Sequence, residues 1–223
     1  KDEKKILELL KTIRNWAREH CPDLVFMRLE PPVSALASAA RKRGFALPSY
    51  YIQPRYNAVI DLEKDESEIM KSFHPSTRSN IRRAENRGVT VVLKSPIATA
   101  DYDHFFAMTR ETIERNSGKN AYPDSRYFHA LTATIPPLAD AHHRNKLSLG
   151  IFHGYQDHNP AATHMVLFFG DTATYLYGAS YSKRLSSKVT TYLHWTAMRE
   201  AKRKGLRHYD LGGVDPARWP TLT

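Results

Sequence analysis

Three strands in immediate succession constrain this chain more than any other feature. Apolar and β-branched residues fill 146–153, 161–169 and 173–179. The polar stretch Gln156-Asp157-His158-Asn159-Pro160 joins the first two, and Gly170-Asp171, a tight hairpin signal, joins the last two. Connections this short join antiparallel neighbours. A long helix at about 187–204 follows, with Val189, Tyr192, Leu193, Trp195, Thr196 and Ala201 on a mixed apolar face. Gly205 ends it, and a last strand at 206–211 runs into Gly212-Gly213.

Upstream, residues 2–20 read as an amphipathic helix with Ile6, Leu9, Leu10, Ile13, Trp16 and Ala17 as its buried stripe. A strand at 23–30 is closed by Pro31-Pro32, and a short Ala-rich helix at 33–43 is stopped by Gly44. Residues 56–62 form a strand with inward Val59 and Ile60. A helix at 65–73 has acidic residues in its first turn, where the helix dipole favours them. A second helix opens at Pro75-Ser76-Thr77 and ends at Gly88, followed by a strand over 89–93. A helix at 101–116 turns Phe105, Phe106, Met108, Thr109, Thr112 and Ile113 inward. After a loop at 117–123, a helix at 124–134 ends before Pro136-Pro137. Antiparallel hairpins with packed helices make an α+β fold with a mixed sheet.

The helix after Pro75 carries Arg78, Arg82, Arg83 and Arg87. Arg78 and Arg82 share one helix edge, and Arg83 and Arg87 another, at a repulsive cost of a few tenths of a kcal/mol per pair. Such a helix reads as meeting an anion, because the planar guanidinium binds two oxygens of a phosphate or carboxylate at once. The plainer reading is a solvated face with intrahelical pairs such as Arg82 with Glu85. The whole chain is basic, 33 Lys and Arg against 23 Asp and Glu for a net +10, which draws nucleic acid, anionic lipid or phosphorylated substrates. Cys21 is the single cysteine, so a reducing cytoplasm is the expected compartment. No apolar run approaches the ~20 residues that cross a bilayer, and nothing at Lys1 resembles a signal peptide. His142-His143 are adjacent, and His153, His158 and His164 straddle a hairpin without ligand spacing, so no metal site is expected.

Two segments together resemble the FemABX family of peptidoglycan-bridge aminoacyltransferases. The first, Thr77-Arg78-Ser79-Asn80-Ile81-Arg82-Arg83-Ala84-Glu85-Asn86-Arg87-Gly88-Val89, is similar to the family's Lys-Thr-Arg-x-Asn-Ile-Arg-x-Ala-x-x-x-Gly-Val helix, with Ser76 in place of the lysine. The second contains Thr174-Tyr175-Leu176-Tyr177-Gly178-Ala179-Ser180, Leu193-His194-Trp195 and Ala201-Lys202-Arg203-Lys204-Gly205-Leu206-Arg207-His208-Tyr209-Asp210-Leu211-Gly212-Gly213-Val214. The match runs over most of 50–216.

The resemblance implies a GNAT-like fold, a mostly antiparallel mixed sheet flanked by helices. Residues 1–48 would be the C-terminal part of a first such domain and 49–223 a second, without the Phe-Lys-x-x-Phe-Gly-Gly segment that members carry after the Gly-Gly stretch and whose lysine matters for the reaction. It implies transfer of an amino acid from aminoacyl-tRNA to an amine of a precursor stem peptide. The acceptor would be UDP-MurNAc-pentapeptide or its lipid-linked form, with no cofactor. An acceptor at the membrane would fit a basic protein docked on anionic lipid at its cytoplasmic face.

Ester aminolysis needs two polyanions held close, a proton removed from the amine and an oxyanion stabilised. Holding the partners together supplies roughly 7–11 kcal/mol, and the resemblance implies that the substrates carry part of the proton transfer, so no catalytic base is nominated. Candidate substrate-binding residues are Arg78, Asn80, Arg82, Arg83, Arg126, Tyr127, Tyr175 and Tyr177. Tyr175 and Tyr177 alternate with Leu176 and are expected on one strand face, lining a groove. Candidate tRNA-binding residues are Lys183, Arg184, Lys188, Lys202 and Arg203, around the long helix. Their plainer role is to complement the helix dipole.

Two other readings remain. One is an acyl-CoA-dependent N-acetyltransferase of the same fold. Those enzymes hold pyrophosphate on a Gly-rich loop, whereas Ser180-Tyr181-Ser182-Lys183-Arg184-Leu185-Ser186-Ser187-Lys188 has no glycine. The other is a non-catalytic module that binds RNA or a cell-wall precursor.

Overall fold

The computed structural model describes residues 2–24, 40–41, 44–46, 54, 56–116, 122–138 and 146–214. The chain divides into two units, Lys1–Ile52 and Gln53–Thr223.

In the first unit, α1 spans Asp2–His20. Leu7 and Ala17 are buried, and Ile6, Leu10, Ile13 and Arg14 are half-buried. Leu9 and Trp16, expected in the apolar stripe, are 56% and 55% exposed. The inward face follows Leu7, Leu10, Arg14 and Ala17, steps of three and four that keep to one side of a helix, and the expected stripe sat about one residue off it. Exposed Trp16 instead stacks on His20, with ring centroids 4.8 Å apart. Most of the expected strand at 23–30 and of the helix at 33–43 lies outside the described residues. Gly44 takes φ +86°, and the amides of Gly44 and Phe45 return to the carbonyls of Arg41 and Ala40, both at 3.1 Å, as a glycine helix stop requires.

The second unit is built on a six-stranded sheet. Its strands are β1 (Tyr56–Asp61), β2 (Thr90–Lys94), β3 (Ser148–Gln156), β4 (Asn159–Phe169), β5 (Thr172–Ser180) and β6 (His208–Val214). Their order is β1-β6-β5-β4-β3-β2, antiparallel throughout except for β5 beside β6. The sheet is therefore mixed and mostly antiparallel, as expected. The β3–β4 connection is tighter than the five-residue polar loop suggested. Asp157 and His158 form a two-residue turn at φ 51° and 61°, and the Asn159 side-chain amide closes it onto the Asp157 carbonyl at 2.8 Å. Val59, expected inward with Ile60, is 52% exposed, because neighbours on a strand project to opposite sides.

Helices cover both faces. Those helices are α2 (Glu66–Ser72), α3 (Pro75–Asn86), α4 (Thr99–Arg115), α5 (Ser125–Thr134) and α6 (Val189–Arg203), the last preceded by a 3₁₀ turn at Ser182–Ser187. On one face α2, α3 and α6 bury Ile69, Ile81, Val189 and Leu193 against Phe152 and Val166. On the other α4 and α5 bury Phe105 and Phe128 against Ile151 and Met165. The alternation of Ile151 with Phe152, and of Met165 with Val166, shows how period-2 strands feed two separate cores. Each fully buried side chain of this size contributes about 1.5–3 kcal/mol. In α4, Tyr102 joins the buried face, while Phe106 and Ile113 are only half-buried.

Candidate functional site

A bulge in β5 decides what the two tyrosines do. Met165 pairs with Tyr177 and the next residue, Val166, pairs with Tyr175, so Leu176 is the extra residue of the ladder. An extra residue reverses the alternation, and Tyr175 and Tyr177 stand on opposite faces of the sheet. The expected shared groove face is thus corrected.

Tyr177 belongs to the α4–α5 face. Its ring meets Phe128 at 5.0 Å and both Tyr122 and Tyr127 at 6.3 Å. Asp124 caps α5 by accepting from the Tyr127 amide at 3.1 Å, which sets Tyr127 beside Tyr177. Asp124 also holds Arg126 at 2.8 Å, so the guanidinium stands at the exposed start of the helix and keeps the carboxyl below its usual range. The Tyr122 hydroxyl donates to the Gly178 carbonyl at 2.5 Å. Burial first, and the neighbouring Tyr127 hydroxyl second, raise the pKa of Tyr177. These phenols are neutral donors suited to a peptide carbonyl or a sugar hydroxyl, beside a cation suited to phosphate.

Tyr175 instead enters a buried cluster on the α6 side that the sequence reading did not single out. Its ring lies 4.9 Å from His164 and 4.7 Å from His194, and the two imidazoles are 4.2 Å apart. His194 Nδ1 lies 3.2 Å from the Tyr209 hydroxyl, while His164 Nδ1 has no partner among the described residues. Burial pushes His194 down to about 4 and His164 down as well, so both are neutral at pH 7. Gly178 makes the cluster possible, since a Cβ there would run into the Tyr175 hydroxyl and come within 2.8 Å of the His164 ring. The available signals were His194 within Leu193-His194-Trp195 and the inward parity of His164 with Ala162 and Val166.

The arginine helix forms where expected. His74 caps it, Pro75 is its first residue, and Gly88 at φ +64° follows its end. One side of α3 is an open groove of about 550 Å³ lined by Pro75, Arg78, Ser79, Arg82, Arg83, Asn86 and Arg87. Two of the four arginines clamp backbone. Arg78 donates to the carbonyls of Phe73 at 2.5 Å and Lys71 at 3.3 Å, and Arg87 to that of Ser186 at 2.5 Å. Arg82 and Arg83 are exposed, and neither they nor half-buried Asn80 have a side-chain partner among the described residues, so the Arg82–Glu85 pair is not formed. The groove lies on the α6 side of the sheet and the Tyr127–Tyr177 pair on the other, so the expected substrate residues fall into two places.

The basic set around α6 is also divided. Lys183 sits 5.8 Å from the Tyr181 ring centre, Arg184 is 3.9 Å from Asp157, and Lys188 precedes the helix at φ +64°. Lys202 and Arg203 are roughly 20 Å away at the other end. There Lys202 binds the carbonyls of Leu62 and Lys64 at 2.7 and 2.8 Å, and Arg203 forks onto Glu200 at 2.8 and 2.7 Å. Among the described residues, no three of His, Cys, Asp and Glu converge to hold a metal, and no helix is long and apolar enough to cross a membrane.

Beside the tyrosines, the parallel β5–β6 ladder joins only Thr172–Thr174 to His208–Asp210 and then stops. Asp210 accepts from the Gly212 amide and the Asn57 side chain, both at 2.8 Å, and Gly212 takes φ +90°. Gly213 is needed for close approach, because a Cβ there would lie 2.5 Å from Pro54. A known family model, the acetyltransferase (GNAT) domain, matches residues 73–219 of this chain.

The chain belongs to the acetyltransferase (GNAT) domain family.

The chain is 23% identical to a lipid II:glycine glycyltransferase of Staphylococcus saprophyticus, over 94% of this chain and 63% of that protein. The chain thus spans just under two thirds of that relative. A crystal structure described as FemX superposes with a TM-score of 0.72 at 18% identity, covering 96% of this chain and 69% of that one. The C-terminal domain of an Agrobacterium fabrum protein named as a lysylphosphatidylglycerol synthetase superposes at 0.55 and 12% identity, over 81% and 51% of the two chains. The FemABX resemblance and the GNAT-like fold read from the sequence are borne out.

After β5, the glycine-free segment is tied to α4 by side chains. The Ser182 amide donates to Glu111 Oε1 at 2.6 Å. Arg115 ties the same segment down through the Ser180 carbonyl at 3.1 Å and Ser182 Oγ at 2.9 Å.

Proposed function

We propose that this chain is part of an aminoacyltransferase of peptidoglycan bridge synthesis. It moves an amino acid from aminoacyl-tRNA to an amine of a precursor stem peptide. The observation that carries this reading is the Glu111–Ser182 contact within a GNAT fold. A carboxylate already occupies the amide at the start of the glycine-free segment, and a pyrophosphate brought there would meet like charge. That disfavours an acyl-CoA donor while leaving the fold's acyl transfer in place. Similarity to a lipid II:glycine glycyltransferase supports the precursor as acceptor.

The reaction is aminolysis of an ester. The acceptor amine forms a bond to the aminoacyl carbonyl carbon, the bond to the ribose 3′ oxygen breaks, and the amine proton ends on that oxygen. The Tyr127–Tyr177 pair holds the precursor by hydrogen bonds from its phenols, and Arg126 beside it meets phosphate. Residues 1–48 are the tail of a first GNAT-like domain and 49–223 a second, in keeping with the division between Ile52 and Gln53. The acceptor is UDP-MurNAc-pentapeptide or its lipid-linked form, and with the second the protein works at the cytoplasmic face of the membrane.

Calorimetric titration of the chain with UDP-MurNAc-pentapeptide and, separately, with acetyl-CoA tests the reading. The expected result is saturable heat with the precursor and none with acetyl-CoA. Binding of acetyl-CoA alone overturns it in favour of an N-acetyltransferase.

A further inference from the structure

We infer that the groove along α3 is a track for the phosphate backbone of RNA, contacted directly by Arg82 and Arg83 and separate from the Tyr127–Tyr177 pair. The inference rests on the aminoacyl-tRNA reading above for the identity of the polyanion, and on the following geometry for the place.

Four arginines line one open groove of about 550 Å³. Arg78 and Arg87 are bound to carbonyls and not to carboxylates, so their charge is not cancelled. They fasten α3 at both ends, to the end of α2 and to the 3₁₀ turn before α6. Between them Arg82 and Arg83 have no hydrogen bond or ion pair among the described residues. The acidic residue of the helix, Glu85, stands on the α6 side near Tyr192, whose pKa is raised first by burial and then by that carboxylate. Nothing anionic among the described residues lining the groove therefore offsets the repulsion between its arginines.

The remaining lining is Pro75, Ser79 and Asn86. It has no large apolar side chain to enter a bilayer, which favours a nucleic-acid backbone over a lipid surface. Along the helix axis Arg78 and Arg87 are about 14 Å apart, a length that faces several consecutive phosphates. The contact of Arg87 with Ser186 brings α3 beside Lys183, Arg184 and Lys188, so the basic track continues onto the 3₁₀ turn. Lys202 and Arg203 lie outside it, engaged with backbone and with Glu200.

The test is fluorescence anisotropy of the full chain with a labelled RNA hairpin carrying a single-stranded 3′ end, titrated across potassium chloride concentrations. The variants are Arg82→Ala/Arg83→Ala and, as an equal loss of charge elsewhere, Lys4→Ala/Lys5→Ala. The expected result is binding weakened at least about tenfold in the arginine variant, with its log–log salt slope reduced by roughly two, and little change in the lysine variant. UDP-MurNAc-pentapeptide binding by the arginine variant stays at the wild-type level, which also shows that it folds. Equal weakening by both variants overturns the α3 assignment and leaves the aminoacyl-tRNA reading standing. Absence of RNA binding by the wild-type chain counts against both. Co-sedimentation with phosphatidylglycerol vesicles that depends on Arg82 and Arg83, with no RNA binding, makes the groove a membrane contact and overturns the inference.

Discussion

Tyr175 and Tyr177 are two residues apart on one strand and stand on opposite faces of the sheet. The bulge at Leu176 gives the first to the histidine cluster and the second to the aromatic group of the candidate precursor site. Substitutions along β5 are therefore expected to separate stability from binding.

Gly178→Ala tests the buried side. The added methyl would run into the Tyr175 hydroxyl and come within 2.8 Å of the buried His164 ring. Overpacking of this kind costs about 1–3 kcal/mol. Urea unfolding at pH 7 is expected to show that loss, and a change below about 0.5 kcal/mol would mean the cluster is loosely packed.

Acid is expected to destabilise the domain through its buried imidazoles. His194 and His153 are pushed down to about 4, His153 by burial against the opposing pull of Asp101, and His164 is lowered by burial. An unfolded histidine titrates near 6.5. Between roughly pH 6.5 and 4 the unfolded chain thus binds more protons than the folded one. Stability is complete above that window and falls as pH drops through it, by up to about 1.4 kcal/mol per pH unit for each histidine. His194→Gln is expected to remove about a third of the slope of unfolding free energy against pH. An unchanged slope would show that His194 does not stay neutral in the folded protein.

The four arginines on and just after α3 are expected to behave as two classes. Arg78→Ala leaves the Phe73 and Lys71 carbonyls without their charged donor and is expected to cost about 1.5–3 kcal/mol. Arg82→Ala touches nothing in the fold and is expected to stay within about 0.5 kcal/mol. Thermal denaturation of the two variants side by side is the check, and equal losses would contradict the division.

How much of this was legible in the sequence depended on the range of the interaction. The α3 helix, its Pro75 start and its Gly88 end follow from local chemistry and appear where expected. So do the Gly170 hairpin and the order of elements after 146, which carried the family resemblance. The β5 bulge was not legible, because register is set by the partner strand β4 and not by the Thr174–Ser180 sequence. For the same reason the separation of Arg82 from Tyr177 by the whole sheet could not be read along the chain. The Asp157-His158 turn was missed because neither residue is the glycine that usually marks left-handed backbone. In the candidate site, nothing in the sequence around Arg126 and Tyr127 was specific, and only the fold brings Tyr127 beside Tyr177. Only the fold could show Lys202 and Arg203 engaged elsewhere.

The most direct measurement is the affinity of UDP-MurNAc-pentapeptide for the wild-type chain and for Tyr177→Phe, Arg126→Ala and Tyr175→Phe, by calorimetry at one pH and salt concentration. Losing one hydrogen bond to a neutral or charged ligand group costs about 0.5–3 kcal/mol. The expected result is an affinity reduced by up to about a hundredfold in the first two variants and unchanged in Tyr175→Phe. Loss in Tyr175→Phe with full binding by Tyr177→Phe would contradict the placement of the precursor on the α5 face of the sheet.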